Sequence, residues 1–197
     1  MACTSLTRGR NLDCNRISGG IKAVYFAVFD QITYITYDST AAPNQVREID
    51  DIDMGSNSIY RYILPIGTSS LTDTIVGSTE NGTLYYTPTI NIIYNKLSRA
   101  DQAEIKLLAA TKTVIFAELN ATLANGHNII TAMGIVNGMS LKAGTMDTGA
   151  AWGDRNGYSL TFDGMETQPF AMVKDYTTAP FDNLDSGAAI PIVSSDL

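Results

Sequence analysis

Runs of β-branched and aromatic residues, each ended by turn-forming residues, constrain the fold of this chain more than any other feature. Ile21 to Tyr37 reads IKAVYFAVFDQITYITY and predicts a long strand, or a hairpin that turns near Asp30-Gln31. Leu71 to Ser78 and Gly82 to Lys96 predict a strand pair joined by Glu80-Asn81-Gly82, because Asn-Gly between β-prone runs is a strong hairpin signal. These patterns are typical of antiparallel sheets.

One α-helix is predicted at about 98–111. Ser98 can cap it, and Asp101 follows three residues later in the capping-box position. Pro88 lacks a backbone donor in the middle of its predicted strand, so we expect a bend or bulge there. A glycine-rich stretch, Gly144 to Gly157, separates the last two predicted strands. The further predicted strands are Ile59 to Ile66, Lys112 to Leu119, Ile129 to Asn137 and Tyr158 to Phe162.

The 197 residues fit one structural domain with extended ends. We expect an N-terminal arm at 1–20, a domain at 21–173 and an extended C-terminal arm at 174–197. The domain is predicted to be mainly β, an antiparallel β-sandwich or partial barrel with one flanking α-helix. The C-terminal arm is polar, with two prolines and several aspartates, which predicts a segment that is disordered or ordered only against a neighbour.

The charge balance excludes several classes of partner. Thirteen Lys and Arg stand against 20 Asp and Glu, for a net charge of −7. Generic nucleic-acid binding needs a basic face that neutralises phosphates, so we expect no tight binding to DNA or to an anionic membrane. No run approaches the roughly 20 apolar residues of a membrane helix, and residues 1–20 lack the apolar core of a signal peptide. We therefore expect a protein kept in the cytosol or carried out inside an assembly.

The residue patterns of common enzymes are missing. His127 is the only histidine, and it lies in the predicted turn Asn125-Gly126-His127-Asn128 with no partner that the sequence identifies. There is no phosphate-binding loop, no dinucleotide fingerprint and no nucleophile elbow. We predict that the protein is not an enzyme and needs no cofactor.

Two groups of residues remain as candidate sites. Glu48, Asp50, Asp51 and Asp53 are the best metal candidate, but calcium-loop spacing is absent and a solvated acidic loop is favoured. Two cysteines, Cys3 and Cys14, offer too few ligands for zinc. They are either free thiols in a reducing cell or a disulfide, within or between chains, formed after export.

Two stretches resemble the tail-tube and tail-ring structural proteins of tailed bacteriophages. The first is the opening ACTSLTRGRNLDCNRISGGIKAVYF, a cysteine-bearing polar lead that enters a strand after Gly-Gly. The second runs from Asn81 to Glu166, with NGTLYYTPTINIIYNKLSRADQAEIKLLA near its start and GTMDTGAAWGDRNGYSLTFDGME at its end. Together they cover a little over half of the chain and share a layout of hairpin, capped helix and late strand.

The resemblance implies both a fold and a function. Proteins of this family fold as an antiparallel β-sandwich or partial barrel with one helix. They form rings, commonly six-fold, in which strands of neighbouring subunits join into a continuous inner barrel. The rings stack into a tube through which DNA passes without specific binding, and the lumen is often acidic, which fits the net charge here. The acidic loop at Glu48 to Asp53 is expected in the lumen or at the contact between rings.

The resemblance also implies partners and a location. We expect a homo-oligomer that contacts other phage tail proteins, is made in the host cytoplasm and ends in the virion tail. The alternatives are a head-tail connector or collar ring and a capsid decoration protein. A carbohydrate-binding β-sandwich or a hydrolase is the alternative outside the structural class.

Overall fold

The computed structural model describes residues 17–38 and 48–194, which form three sheets and one α-helix. The chain is mainly β, as predicted, and nearly all strand pairs are antiparallel. The elements in chain order are β1 (Ile21–Val28), a 3₁₀ turn (Phe29–Gln31), β2 (Tyr34–Tyr37), β3 (Ile49–Asp53), β4 (Ile59–Ile63), β5 (Ser70–Ser78), β6 (Thr83–Asn95), α1 (Arg99–Ala110), β7 (Thr113–Thr122), β8 (Asn128–Met133), β9 (Ser140–Asp147), β10 (Gly157–Asp163), β11 (Ala171–Met172) and β12 (Ile192–Val193).

A six-stranded sheet lies at the centre of the molecule, in the order β11-β8-β7-β1-β4-β12. Successive side chains of a strand point to opposite faces. On β1, Val24 and Phe26 enter one hydrophobic cluster while Ala23, Tyr25 and Ala27 enter another, and all five are buried. The central sheet is therefore covered on both faces, which gives three layers.

The four-stranded sheet, in the order β5-β6-β10-β9, covers one face of the central sheet and makes a β-sandwich with it. We call the cluster between the two sheets the sandwich core. Its buried residues are Ile21, Val24, Phe26, Leu64, Ile90, Ile92, Ile105, Ile115, Ala117, Met133, Met139, Tyr158, Leu160 and Phe162. α1 contributes Ile105 to this core and so flanks the sandwich, as the sequence predicts.

The other face of the central sheet carries the second core. The β2–β3 pair and residues 174–194 cover it. Its buried residues are Ala23, Tyr25, Ala27, Ile49, Ile52, Met54, Ile59, Val114, Phe116, Ile130, Ala132, Ala171, Val173, Phe181, Leu184 and Ile190. Burial of this kind contributes about 25 cal/mol per Å² of apolar surface.

Residues 174–194 are not the extended arm that the sequence predicts for 174–197. Phe181 and Leu184 are each 1% exposed, and the Phe181 ring lies edge-on against Tyr25 with 4.9 Å between the ring centroids. β12 then pairs in parallel with β4. The expectation is wrong for these residues because a few irregularly spaced apolar side chains anchor a segment that is otherwise polar. Residues 195–197, and 1–16 of the N-terminal arm, lie outside the described residues.

The local signals at the hairpin and the helix are confirmed. β5 and β6 form an antiparallel hairpin around residues 79–82, where Gly82 adopts a φ of 62° that glycine tolerates without strain. The Ser98 hydroxyl oxygen accepts a hydrogen bond from the Asp101 backbone N–H at 3.0 Å, which caps α1. The first predicted strand pair differs, since β1 pairs with β4 and β7 whereas β2 pairs with β3.

The bulge predicted at Pro88 is not found in the β5–β6 ladder, which runs without a register shift and places Pro88 opposite Asp73. The Pro88 carbonyl accepts a hydrogen bond from the Gly164 backbone N–H at 3.2 Å. The N and C=O of one strand residue point to the same side, so the missing donor also points toward Gly164, just beyond the end of β10. Proline at this position therefore removes no bond between β5 and β6.

Candidate functional site

The four-stranded sheet ends in two long strands that each have only one neighbour. β5 has nine residues and β9 has eight, whereas the outer strands of the central sheet, β11 and β12, have two each. An edge strand presents unpaired N–H and C=O groups that can bond to a strand of another chain. The two strands of the third sheet, β2 and β3, also have one neighbour each but only four and five residues, so β5 and β9 are the longest edge strands among the described residues.

The hydrogen-bonding direction along β6 identifies which β5 groups are free. Tyr86 of β6 exchanges two backbone hydrogen bonds with Glu166 on the β10 side, both at 2.8 Å. The backbone N–H of Ile93 instead points to the β5 side, where it donates to Ser69 Oγ at 3.1 Å. Directions alternate along a strand, so even-numbered β6 residues bond toward β10 and odd-numbered ones toward β5.

The register between β5 and β6 then identifies which β5 residues face away from the sheet. Thr74 lies opposite Thr87 and Val76 opposite Tyr85, so the even-numbered β5 residues bond to β6. The odd-numbered β5 residues point their backbone N–H and C=O groups outward. These residues are Leu71, Asp73, Ile75 and Gly77.

The distal end of the β5–β6 hairpin extends beyond the central sheet. Leu84 lies on the same face of β6 as the buried Ile90, yet it is 62% exposed. Ile75 is on that face of β5 and is 67% exposed. Apolar side chains thus flank the free edge of β5.

The acidic residues Glu48, Asp50, Asp51 and Asp53 do not form the predicted loop. Three of them belong to β3, and Glu48 precedes it. Ile49 and Ile52 are both fully buried because the β2–β3 ladder shifts register between Thr36 and Tyr37. Because the two buried isoleucines are three residues apart, the segment lacks the alternation of apolar and polar residues that identifies a strand. The sequence therefore did not predict β3.

These carboxylates hold the chain's own backbone and C-terminal residues. Asp50 accepts a hydrogen bond from Lys174 Nζ at 2.7 Å, and Asp51 accepts one from the Ser186 backbone N–H at 2.6 Å. The Asp53 carboxylate accepts a hydrogen bond from the Gly55 backbone N–H at 2.8 Å within a turn. Partial burial raises the pKa of the Glu48 carboxyl. Through Asp50 and Asp51, β3 therefore bonds residues 174–186 to the rest of the domain.

Neither a metal site nor the proposed disulfide is placed by the structure. Within residues 17–38 and 48–194, no three His, Cys, Asp or Glu side chains are arranged to hold a metal ion. Cys3 and Cys14 lie outside the described residues. None of the helices in the described ranges has the length and hydropathy needed to cross a membrane.

An open groove of about 220 Å³ lies between α1 and the central sheet. Its walls include Phe26, Tyr60, Tyr62, Leu107 and Leu108, with Glu104 at its polar side. Burial, with a smaller contribution from the Glu104 carboxylate, raises the pKa of Tyr62 to about 12, so its hydroxyl is neutral at physiological pH. The groove is apolar and lacks the paired acid and base of a catalytic site.

His127 gains the carboxylate partner that the sequence could not identify. Its Nδ1 lies 2.9 Å from Asp175 Oδ1, and its ring stacks on Tyr176 with 4.3 Å between centroids. None of the hydrogen bonds found for His127 within the described residues involves a serine, threonine, cysteine or lysine side chain. The pair lacks a nucleophile and instead joins the turn before β8 to the segment after β11.

A polar cluster that the sequence did not predict lies on the face of the central sheet that carries the second core. We call Lys22, Tyr25, Arg61, Glu118 and Asn128 the Glu118 cluster. The Glu118 carboxylate, 1% exposed, accepts hydrogen bonds from Lys22 Nζ and from the Tyr25 hydroxyl, both at 2.7 Å. Arg61 Nη2 lies 3.9 Å from the same carboxylate. A buried carboxylate is stable only with such compensation.

Lys22 reaches this cluster because of a β-bulge. Ile21 and Val24 both enter the sandwich core, and the β1–β7 ladder shifts register between Ile21 and Ala23. The shift turns Lys22 to the face that carries Ala23 and Glu118. β-Bulges often re-aim a side chain in this way beside functional sites.

Asn128 completes the Glu118 cluster. Its Oδ1 accepts a second hydrogen bond from Lys22 Nζ at 2.8 Å, and its Nδ2 donates to the Leu119 carbonyl at 2.9 Å. Burial, followed by the hydrogen bond to Glu118, raises the pKa of Tyr25, which keeps its hydroxyl protonated as a donor. Lys22 lies 96 residues from Glu118 and 106 from Asn128, so no sequence spacing could indicate the cluster.

Comparison with known proteins gives no relative from which to transfer a function. No family model matches the chain, and no curated protein or solved structure is significantly similar to it. The assignment of a function therefore rests on the geometry of the residues described above.

Proposed function

We propose that this chain is a virion structural protein of a tailed phage that assembles into stacked rings and so forms the tail tube. The observation that carries the proposal is the pair of long free edges, β5 and β9, on one sheet. In this proposal the protein is not an enzyme and needs no cofactor, and its partners are copies of itself and other tail proteins.

The strand directions favour head-to-tail assembly. Three successive antiparallel pairings, β5–β6, β6–β10 and β10–β9, make β5 and β9 run in opposite directions. When subunits are related by rotation about one axis, β9 of one copy therefore meets β5 of the next as another antiparallel pair. Such a contact uses two different surfaces and closes into a ring when the rotation closes.

Ring closure also removes a hazard. A nine-residue edge with one charged residue, Asp73, is a template for uncontrolled aggregation unless it is paired. Exposed Ile75 and Leu84 beside that edge add apolar surface for a neighbour to cover. Pairing β5 with β9 of the next copy satisfies both requirements.

The net charge of −7 fits a channel for DNA, because like charge keeps the genome from adhering to the wall. A head-tail connector or collar ring could use the same edges, and microscopy of the assembled particles distinguishes a single ring from a stacked tube.

The test removes one outward donor from the β5 edge. Ile75→Pro deletes a backbone N–H that points away from β6, so the hairpin should fold while ring formation is lost. Electron microscopy and light scattering of the wild-type chain should show rings or tubes of uniform bore, and the Ile75→Pro chain should be a monomer.

Two matched variants separate the effect of the lost outward N–H from the effect of a changed side chain and from the effect of a weakened hairpin. Ile75→Val keeps the outward N–H and should assemble, whereas Val76→Pro removes a donor that bonds to β6 and should weaken the hairpin itself. A wild-type chain that stays monomeric at high concentration, or an Ile75→Pro chain that assembles normally, would contradict the proposal.

A further inference from the structure

Three side chains of the Glu118 cluster have the composition and the geometry for a covalent reaction within the chain. Lys22 Nζ lies 2.8 Å from the Asn128 amide oxygen and 2.7 Å from the Glu118 carboxylate. An amine in contact with an amide, with an acid-base group beside it, is the arrangement that acyl transfer requires. Contacts this close hold the reacting groups near the distance for attack.

We propose that Lys22 and Asn128 join in an intramolecular isopeptide bond, with Glu118 as the group that transfers protons. The Glu118 carboxylate takes a proton from the Lys22 ammonium, and the freed amine attacks Asn128 Cγ. Glu118 then returns the proton to the departing amide nitrogen. The Nζ–Cγ bond forms, the Cγ–Nδ2 bond breaks, and ammonia leaves as ammonium after it takes the second proton of the amine.

The reaction needs no oxidant, metal or cofactor. The lysine ammonium and the asparagine amide carry five hydrogens on nitrogen between them, of which one stays in the new amide and four leave on ammonium. The charge of +1 on Lys22 leaves with the product, and Glu118 ends as it began. Because the Lys22 side chain is 48% exposed, the leaving ammonia has a path to solvent.

The surroundings of Glu118 suit both the reactant and the product. The Glu118 carboxylate lies within hydrogen-bond distance of the Lys22 ammonium, at 2.7 Å, so a proton can pass directly between the two groups. When the bond forms, Lys22 loses its charge, but Arg61 at 3.9 Å and the Tyr25 hydroxyl at 2.7 Å remain to compensate the carboxylate. The Glu118 carboxylate therefore keeps two compensating partners after the reaction removes the positive charge of Lys22.

The Asn128 amide is also positioned for attack. Its Nδ2 donates to the Leu119 carbonyl at 2.9 Å, which leaves its Oδ1 facing Lys22 Nζ at 2.8 Å. β1 and β8 both flank β7 in the central sheet. The new bond would thus connect two strands that are not adjacent, across the strand that carries Glu118.

Mass spectrometry of the full purified chain tests the proposal. The intact mass should be lower than that of the sequence by one ammonia, and a tryptic digest should contain a branched peptide that joins the Lys22 and Asn128 segments. Both signals should be lost in Lys22→Arg, which keeps a cation for Glu118, and in Glu118→Gln, which keeps the shape of the acid. Circular dichroism of Lys22→Arg confirms that the loss is not due to unfolding.

A matched control addresses the competing source of the same mass loss. Four Asn-Gly pairs, at Asn81, Asn125, Asn137 and Asn156, can lose ammonia by cyclising on the backbone. Such cyclisation gives no branched peptide and persists in Lys22→Arg. Lys142→Arg alters another paired lysine, bonded to Asp163 outside the cluster, and should retain the branched peptide.

Two outcomes would overturn the inference. One is a wild-type chain with no branched peptide after prolonged incubation under native conditions. The other is a branched peptide that forms equally in Glu118→Gln, because the proton-transferring group would then be wrong. The reaction is internal to one chain, so either result leaves the proposed assembly untouched.

Discussion

The two faces of the central sheet are equally well buried, but they are covered in different ways. The sandwich core is covered by a regular four-stranded sheet, whereas the second core is covered by a strand pair and by residues 174–194, which are mostly irregular. Phe162 on the first side is 0% exposed and Phe181 on the second is 1% exposed. An irregular segment can therefore exclude solvent from one face of a sheet when a few of its large side chains pack against that face.

The irregular cover of the second core, residues 174–194, carries local backbone strain at a buried aromatic residue. Phe181 adopts a φ of 64°, which is rare for a bulky residue and costs on the order of 1–3 kcal/mol. Its ring packs edge-on against both Tyr25 and Phe116, at 4.9 and 5.2 Å. The packing of this one ring outweighs the backbone cost.

The largest expected effect comes from removing the irregular cover. A chain that ends at Val173 loses Phe181, Leu184 and Ile190, each worth about 2–5 kcal/mol when buried. Their sum matches the roughly 5–15 kcal/mol stability of a typical domain, so we expect loss of cooperative folding. Urea unfolding followed by circular dichroism measures this. An unchanged midpoint would show that residues 174–194 are a dispensable arm after all.

The next effect compares single side chains on the two faces. Phe181→Ala and Phe162→Ala should each lower the free energy of unfolding by about 3–5 kcal/mol, because each leaves a cavity in a packed core. Leu107→Ala, at a side chain that is 60% exposed on α1, is the control and should change it by no more than about 0.5 kcal/mol. A much smaller loss for Phe181→Ala than for Phe162→Ala would mean that the second core is loosely closed.

The smallest effect concerns the turn that precedes Phe181 in the irregular cover. The Asp182 carboxylate accepts hydrogen bonds from the backbone N–H groups of Thr177, Thr178 and Ala179, and these bonds lower its pKa. A lowered pKa gives stability that is present above the unfolded value and is lost as the pH falls through the folded value. Asp182→Asn should thus be less stable than wild type at neutral pH.

Stability curves measured across the acid range check this prediction. The difference between Asp182→Asn and wild type should shrink as the pH falls through about 4 and below. A difference that is constant with pH would instead assign the effect to the shape of the side chain.

The sequence predicted best those features that depend on neighbouring residues. Asn81-Gly82 located the β5–β6 hairpin, and Ser98 with Asp101 located the start of α1. Each signal works through bonds within one turn of chain. The fold class followed, because the alternating apolar strands of a sandwich can be read locally.

Features that depend on distant contacts were missed. β9 contains Gly144, which packs closely against the Leu160 side chain of β10, and the sequence shows this part of the strand only as a glycine-rich break. The C-terminal cover depends on three apolar residues without a period. The Glu118 cluster assembles from strands β1, β4, β7 and β8, so neither its partners nor the bulge at Lys22 left a local signal.

A ring built by joining β5 of one copy to β9 of the next has a polarity, because this contact uses two different surfaces of each subunit. Subunits related by rotation about one axis all point the same way, so the two rims of the ring are different surfaces. When rings stack in one repeated orientation, one kind of rim meets the other, and the resulting tube has a direction along its length. Its two ends then expose different rims, so a surface that fits one end does not by that fact fit the other.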